Sequence, residues 1–223
     1  MTKNHLKRSV ANKRWTLLRK KNKYVLRPSA GKHGLEEAIP FAYFLKSKGF
    51  AATTREAKKS LMLNDVYLDK KIIKNVKCPV GFMDVISIND NSFRCLFDKK
   101  GRIIFNDIDK KNSNIKICKI LNKTKIKNGK IQLNLFDGRN INVEKDEFKL
   151  RDSISIELPS QKIIKQLPFK EGAEIILTHG KYVGNYGKIE KILDEHIIFN
   201  DNEGKQFSTL KDYAFVVEID QLK

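Results

Sequence analysis

Between Pro40 and Leu61 the apolar residues recur at the period of a helix, and from Val66 onward they alternate with polar ones. Leu35–Ile39 reads as a short turn. Pro40 suits the first position of a helix, where its missing N–H costs nothing. Phe41, Phe44 and Leu45 then fall on one face, and Gly49 follows as a C-terminal stop. That aromatic face is expected to be core. A second helix opens at Thr53-x-x-Glu56, a reciprocal capping pattern. It carries Ala57, Leu61 and Met62 on one side and Arg55, Lys58 and Lys59 on another, and its expected packing partner is the first helix. Val66-Tyr67-Leu68 alternates, Asp69-Lys70-Lys71 turns, a return strand starts at Ile72, and Val85–Ile88 alternates again.

The rest of the pattern is β. Short strands are predicted at Phe93–Phe97, Gly101–Phe105, Ile115–Ile120, Lys130–Leu135, Ile141–Val143 and Ile154–Leu158, with turns at Asp98–Gly101 and Asp137-Gly138. This spacing suggests a small barrel or sandwich over 91–166. From 167 a last module is expected, its core completed by Ile197–Phe199, Phe207 and Phe215–Val217. The fold class is therefore α+β, mostly β.

Charge changes the picture most. The chain has 223 residues, a formal net charge of +19 and a pI near 9.8, which puts a polyanion first among partners. Residues 1–34 contain no Asp or Glu but eleven cations: Lys3, Lys7, Arg8, Lys13, Arg14, Arg19, Lys20, Lys21, Lys23, Arg27 and Lys32. Such density repels itself, so the segment is expected to be extended or disordered until it meets phosphates. Leu6, Trp15, Leu17, Leu18, Tyr24 and Val25 are interleaved with the charges. Trp15, the single tryptophan, either stacks on a base or lies against protein, with packing favoured. No apolar run reaches the roughly 18 residues of a membrane span, and the N-terminus lacks the apolar stretch of a secretory signal. The three cysteines are far apart and point to reduced thiols, not to a disulfide frame or a zinc site.

Several blocks carry a family resemblance. Thr53-Thr54-Arg55-Glu56-Ala57 followed by Leu68-Asp69-Lys70 resembles the α-L RNA-binding module, without that module's usual arginine and turn glycine. Pro79–Ile86 extends the match. Gly172–Ile189, with Gly180, Gly184 and Gly187, resembles a KOW motif in an SH3-like barrel. Its loop would project Lys181, Tyr182, Asn185 and Tyr186 toward RNA; a hairpin needing glycine only to turn, or one touching protein, is the other reading. His5-Leu6-Lys7-Arg8, Lys13-Arg14-Trp15 and Arg27–His33 resemble the opening of the S4e family of small-subunit ribosomal proteins.

That resemblance implies four parts: a basic extension (1–35), an α-L module (36–90), a central β domain (91–166) and a KOW barrel (167–223). It implies a cytoplasmic, archaeal-type structural protein that binds the 5′ domain of small-subunit ribosomal RNA, supports assembly and meets neighbouring ribosomal proteins. The RNA contacts expected are Lys3, His5, Lys7, Arg8, Lys13, Arg14, Trp15, Arg19, Lys20, Arg27, Lys32, His33, Thr54, Arg55, Lys58, Lys59, Lys70, Lys71, Lys181, Tyr182, Asn185 and Tyr186. Exposed surface histidines are the plainer reading of His5 and His33.

Catalytic signals are missing. The four histidines form no metal-ligand spacing, and neither a Gly-x-Ser-x-Gly elbow nor a Walker loop occurs. No metal, cofactor, membrane or small-molecule substrate is expected. An RNA-modifying enzyme that borrows an α-L module would need a further catalytic domain. A mobile KOW-type factor would leave the acid-free N-terminus unexplained. The ribosomal reading accounts for both.

Overall fold

The computed structural model describes residues 5–18, 20, 22–126, 129–201 and 203–219. Its chain separates into two units: one runs through Leu96 and takes back Arg102–Asp107, the other holds Phe97–Gly101 and the chain from Ile108 onward. Among the described residues it is mostly β, with two α-helices.

In the first unit the described residues of the acid-free N-terminus fold instead of trailing. Strand β1 (Leu6–Lys7) pairs antiparallel with β2 (Tyr24–Val25), with Leu6 opposite Val25. Leu6 and Trp15 are buried, and the Trp15 indole N–H donates to the Ala38 carbonyl at 3.0 Å. The Ile103 N–H donates to the Arg14 carbonyl, tying the segment to the sheet described below. The expectation of an extended or disordered tail is thus corrected. The interleaved apolar residues supply burial, and backbone carbonyls receive cationic donors, so self-repulsion is offset locally.

Strand β3 (Ile39–Pro40) leads directly into α1 (Phe41–Ser47). Pro40 is extended and stands just before the helix, one position earlier than expected, and Gly49 at φ +78° ends the element as expected. Helix α2 (Thr54–Leu63) starts at a reciprocal cap. The Glu56 N–H donates to the Thr53 hydroxyl at 3.1 Å, and the Ala52 N–H donates to the Glu56 carboxylate at 2.9 Å. The Ala52 bond and then the Thr53 hydroxyl hold the Glu56 carboxyl below its usual range.

The chain continues through β4 (Val66–Leu68), β5 (Lys71–Ile72), β6 (Pro79–Val80), β7 (Val85–Ile88), β8 (Asn91–Phe97) and β9 (Ile103–Ile108). A two-stranded ladder joins β3 to β6, and the main sheet runs β5-β4-β7-β8-β9. Strands β8 and β9, expected in the central domain, therefore belong to the first sheet. Phe44 of α1 seals that sheet, with ring centroids 5.3 Å from Phe93 and 4.8 Å from Phe105.

The second unit contains β10 (Ile115–Lys125), β11 (Ile131–Leu135), β12 (Asn140–Val143), β13 (Ser153–Glu157) and β14 (Ile163–Leu167), in the order β12-β11-β10-β13-β14. Strand β10 pairs with β13 through residues 115–119 and with β11 from residue 120, where its register shifts. Cys118, Ile120, Leu133, Ile154 and Ile156 form its core. Strand β14 was not expected, because its exposed Ile164 breaks the alternation. The last sheet joins β15 (Glu174–Leu177), β16 (Tyr186–Ile192), β17 (His196–Asp201), β18 (Gln206–Leu210) and β19 (Ala214–Val216), in the order β18-β17-β16-β15-β19. Phe136 and Phe215 meet edge-to-face at 5.3 Å. Among the described residues no helix is long and apolar enough to cross a membrane.

Two stability predictions follow from this packing. Gly184 lies at φ +78°, and a Cβ there would meet the Asp98 carbonyl oxygen at 2.2 Å. Gly184→Ala is expected to destabilise the second unit by about 2 kcal/mol or more, from strain and overlap together. Amide exchange on β15 and β16 measures this, and unchanged protection contradicts it. Lys119 Nζ donates to the Asp212 and Ala214 carbonyls at 2.7 Å each, and burial pushes its ammonium down to about 8 from 10.5. Between those values the unfolded chain binds more protons than the folded one, so this lysine makes stability rise with pH across that window. Urea midpoints of wild type and Lys119→Met should diverge from about pH 8 toward 10.5, with wild type gaining; parallel curves contradict this.

Candidate nucleic-acid interface

Helix α2 buries Ala57 and Leu61, which leaves Arg55, Lys58 and Lys59 exposed on its other side. Thr54 is half-buried and accepts from Lys46 Nζ at 2.8 Å. The turn joining β4 to β5 has positive φ at both central residues, +50° at Asp69 and +62° at Lys70. That is the geometry of a tight two-residue hairpin, usually supplied by asparagine or glycine. Here the Asp69 carboxylate sustains it by accepting the Val85 N–H at 3.0 Å. Lys70 is half-buried and Lys71 exposed.

Asp69 belongs to a charge cluster that the sequence reading missed. Lys32 Nζ lies 2.5 Å from Asp69 Oδ2 and 3.2 Å from Asp84 Oδ1. His33 Nε2 lies 3.0 Å from Asp84 Oδ2, which also accepts the Gly81 N–H at 3.0 Å. A Cβ on Gly81 would come within 2.4 Å of the His33 ring, so only glycine permits this approach. Arg94 is fully buried nearby; burial pushes its guanidinium down to about 10, against the opposing field of Asp69. The glycine and aspartate of Pro79–Ile86 were the available signal, read as a family block and not as a socket for residues 32 and 33.

The predicted contacts therefore separate. His5, Lys7, Lys13 and Lys20 are exposed, and Arg27 is half-buried. Arg8 donates from Nε to the Leu18 carbonyl at 2.8 Å and from Nη2 to the Leu17 carbonyl at 2.7 Å. Arg14 is half-buried, and burial lowers its guanidinium against the fields of Glu37 and Glu36. Trp15 packs inside the protein, the favoured of its two readings. His33 is buried, not exposed, because its ring is needed against Gly81 and Asp84. Lys3 and Arg19 lie outside the described residues.

In the β15–β16 loop Lys181 is exposed, whereas Tyr182, Asn185 and Tyr186 are half-buried and project less than expected. Tyr182 packs against Phe207 with centroids 4.7 Å apart, the Lys181 ammonium lies 5.6 Å from the Tyr182 ring, and burial raises the Tyr186 phenol. Gly187 does not need positive φ; a Cβ there would strike the Asn200 carbonyl oxygen at 2.4 Å.

Among the described residues no cluster of His, Cys, Asp or Glu could hold a metal ion. Exposed cations thus stand on a mostly β fold. The RS4NT (NUC023) domain model matches residues 2–36, and the model of ribosomal family S4e matches residues 89–163. Small ribosomal subunit protein eS4 of Methanothermobacter thermautotrophicus is 38% identical, covering 99% of this chain and 94% of that one. The protein of the same name from Methanocaldococcus jannaschii is 40% identical over 96% and 94%. The crystal structure of 30S ribosomal protein S4e from Thermoplasma acidophilum matches with a TM-score of 0.69 at 28% identity, covering 81% of this chain and 94% of that chain. The chain belongs to ribosomal family S4e, a family of structural proteins and not of enzymes.

The cluster yields a direct prediction. Lys32→Met leaves buried Asp69 and Asp84 without their shared cation. It should destabilise the first unit by about 3 kcal/mol, the low end for a broken buried pair because the Lys32 side chain keeps 27% exposure. Arg55→Met, on the exposed face of α2, should change stability by about 0.5 kcal/mol or less. Urea unfolding of the two variants checks this; equal midpoints contradict it.

Proposed function

We propose that this chain is a structural constituent of the small ribosomal subunit, in the cytoplasm, that binds the 5′ domain of small-subunit ribosomal RNA and supports subunit assembly. The observation that carries this is a folded, acid-free N-terminal strap in the same unit as a helix that exposes Arg55, Lys58 and Lys59. Near full-length similarity to proteins named as small-subunit components supports it.

In this reading residues 36–90 act as an α-L module, recognising RNA shape and backbone more than base sequence. Residues 1–35 enter clefts between RNA helices, the β10–β14 sheet provides the platform, and residues 167–223 act as a KOW barrel whose loop at Lys181–Tyr186 adds a further contact. Neighbouring ribosomal proteins meet the remaining surface. Lys32 and His33 serve by fixing the strap, and the phosphate contacts fall to the remaining cations.

Binding should be strongly salt-dependent. Neutralising roughly eight to ten phosphates predicts a loss of about 10³–10⁵ in affinity for a 5′-domain transcript between 50 and 200 mM salt. Filter binding across that range measures the slope, and Arg55→Glu with Lys59→Glu should flatten it. A shallow slope, or one unchanged by the double variant, contradicts the assignment of α2 to phosphate.

A further inference from the structure

A cleft of about 440 Å³ lies in the first unit, lined by the N-terminal strap and by both helices. Its volume falls in the range of small-ligand sites. Although the chain carries 26 acidic residues, none of those described lines this cleft. Arg8, Trp15, Tyr24, Tyr43, Lys46 and Ser47 do. The Tyr43 hydroxyl donates to the Thr16 carbonyl at 2.5 Å, which fixes one ring. Tyr24 keeps 49% of its exposure, with the His5 ring edge-on at 5.6 Å and the Lys23 ammonium 5.7 Å from its centroid. Arg8 is held by the Leu17 and Leu18 carbonyls, and Lys46 by the Thr54 hydroxyl.

We propose that this cleft receives one unstacked nucleotide of the bound RNA, its base against the tyrosine walls and its phosphate toward Arg8 and Lys46. The proposal rests on the RNA-binding reading and adds a defined pocket to a surface otherwise suited to backbone contact alone. The chemistry selects the occupant. Aromatic faces accept any base, and preset cations accept its phosphate. A basic protein tail would meet like charge and, among the described residues, no carboxylate. The strap forms one wall of this site.

The test uses the full chain and a 5′-domain transcript, with ultraviolet crosslinking read by mass spectrometry. Tyr24 or Tyr43 should carry a single-nucleotide adduct that maps to one position in the RNA. The single tryptophan lines the cleft, so its fluorescence should change on binding. Ser47→Phe, which fills the cleft from an exposed position, should remove the adduct and weaken binding about tenfold, the loss of one stacked base. Tight binding with no tyrosine adduct, unchanged tryptophan fluorescence and unaffected Ser47→Phe would overturn this inference while leaving the RNA-binding reading intact. Tyrosine crosslinks to a protein in assembled subunits would also overturn it, assigning the cleft to that neighbour. A chain without affinity for the transcript removes the RNA-binding reading, and the nucleotide site with it. The wild-type crosslink map decides even where Ser47→Phe is not tolerated.

Discussion

The constraint on this structure is that a chain of net charge +19 must fold around carboxylates it can bury. Four aspartates meet that need. Asp69 and Asp84 hold Lys32 and His33; Asp137 holds Lys116 at 3.0 Å and Arg139 at 3.0 Å. Asp152 accepts the backbone N–H of Lys149 and Phe169 and the Gln166 amide. Each is almost fully buried, where an unpartnered carboxylate would be costly. A buried aspartate with several donors therefore fixes where the surrounding chain must run. In the first unit it turns a repulsive N-terminus into a located strap.

Location matters for the proposed role. A disordered basic arm loses conformational freedom on binding, whereas an arm already held by Lys32, His33, Leu6 and Trp15 has lost much of it on folding. On that reading the strap supplies cations in a preset arrangement, and α2 adds a second set from a helix fixed at its start by Thr53 and Glu56. In the proposed role, positive charge has two uses, inward to hold the strap and outward to face phosphate, and the same short motifs divide between them.

What was legible in the chain was local. The capping pair at Thr53 and Glu56, the stop at Gly49, the turn at Asp69-Lys70 and most strands follow from residues a few positions apart. The contacts that were not legible are distant in sequence. Lys32 and Asp84 are 52 positions apart, and nothing at residue 32 marks it, among eleven cations, as the partner of buried aspartates. Likewise β8 reads as one more short strand, and only its pairing with β7 shows which sheet it joins. At the candidate interface, the exposed helix cations follow from helical periodicity, but Trp15, His33 and Tyr182 turn inward for reasons of tertiary packing.

The most direct test of the central claim is in-cell ultraviolet crosslinking of the tagged chain, followed by sequencing of the attached RNA. The account predicts crosslinks concentrated in the 5′ region of small-subunit ribosomal RNA, through the strap and the Arg55–Lys71 surface. Crosslinks spread over messenger or transfer RNA, with none on the small subunit, would contradict it and return these modules to a mobile factor.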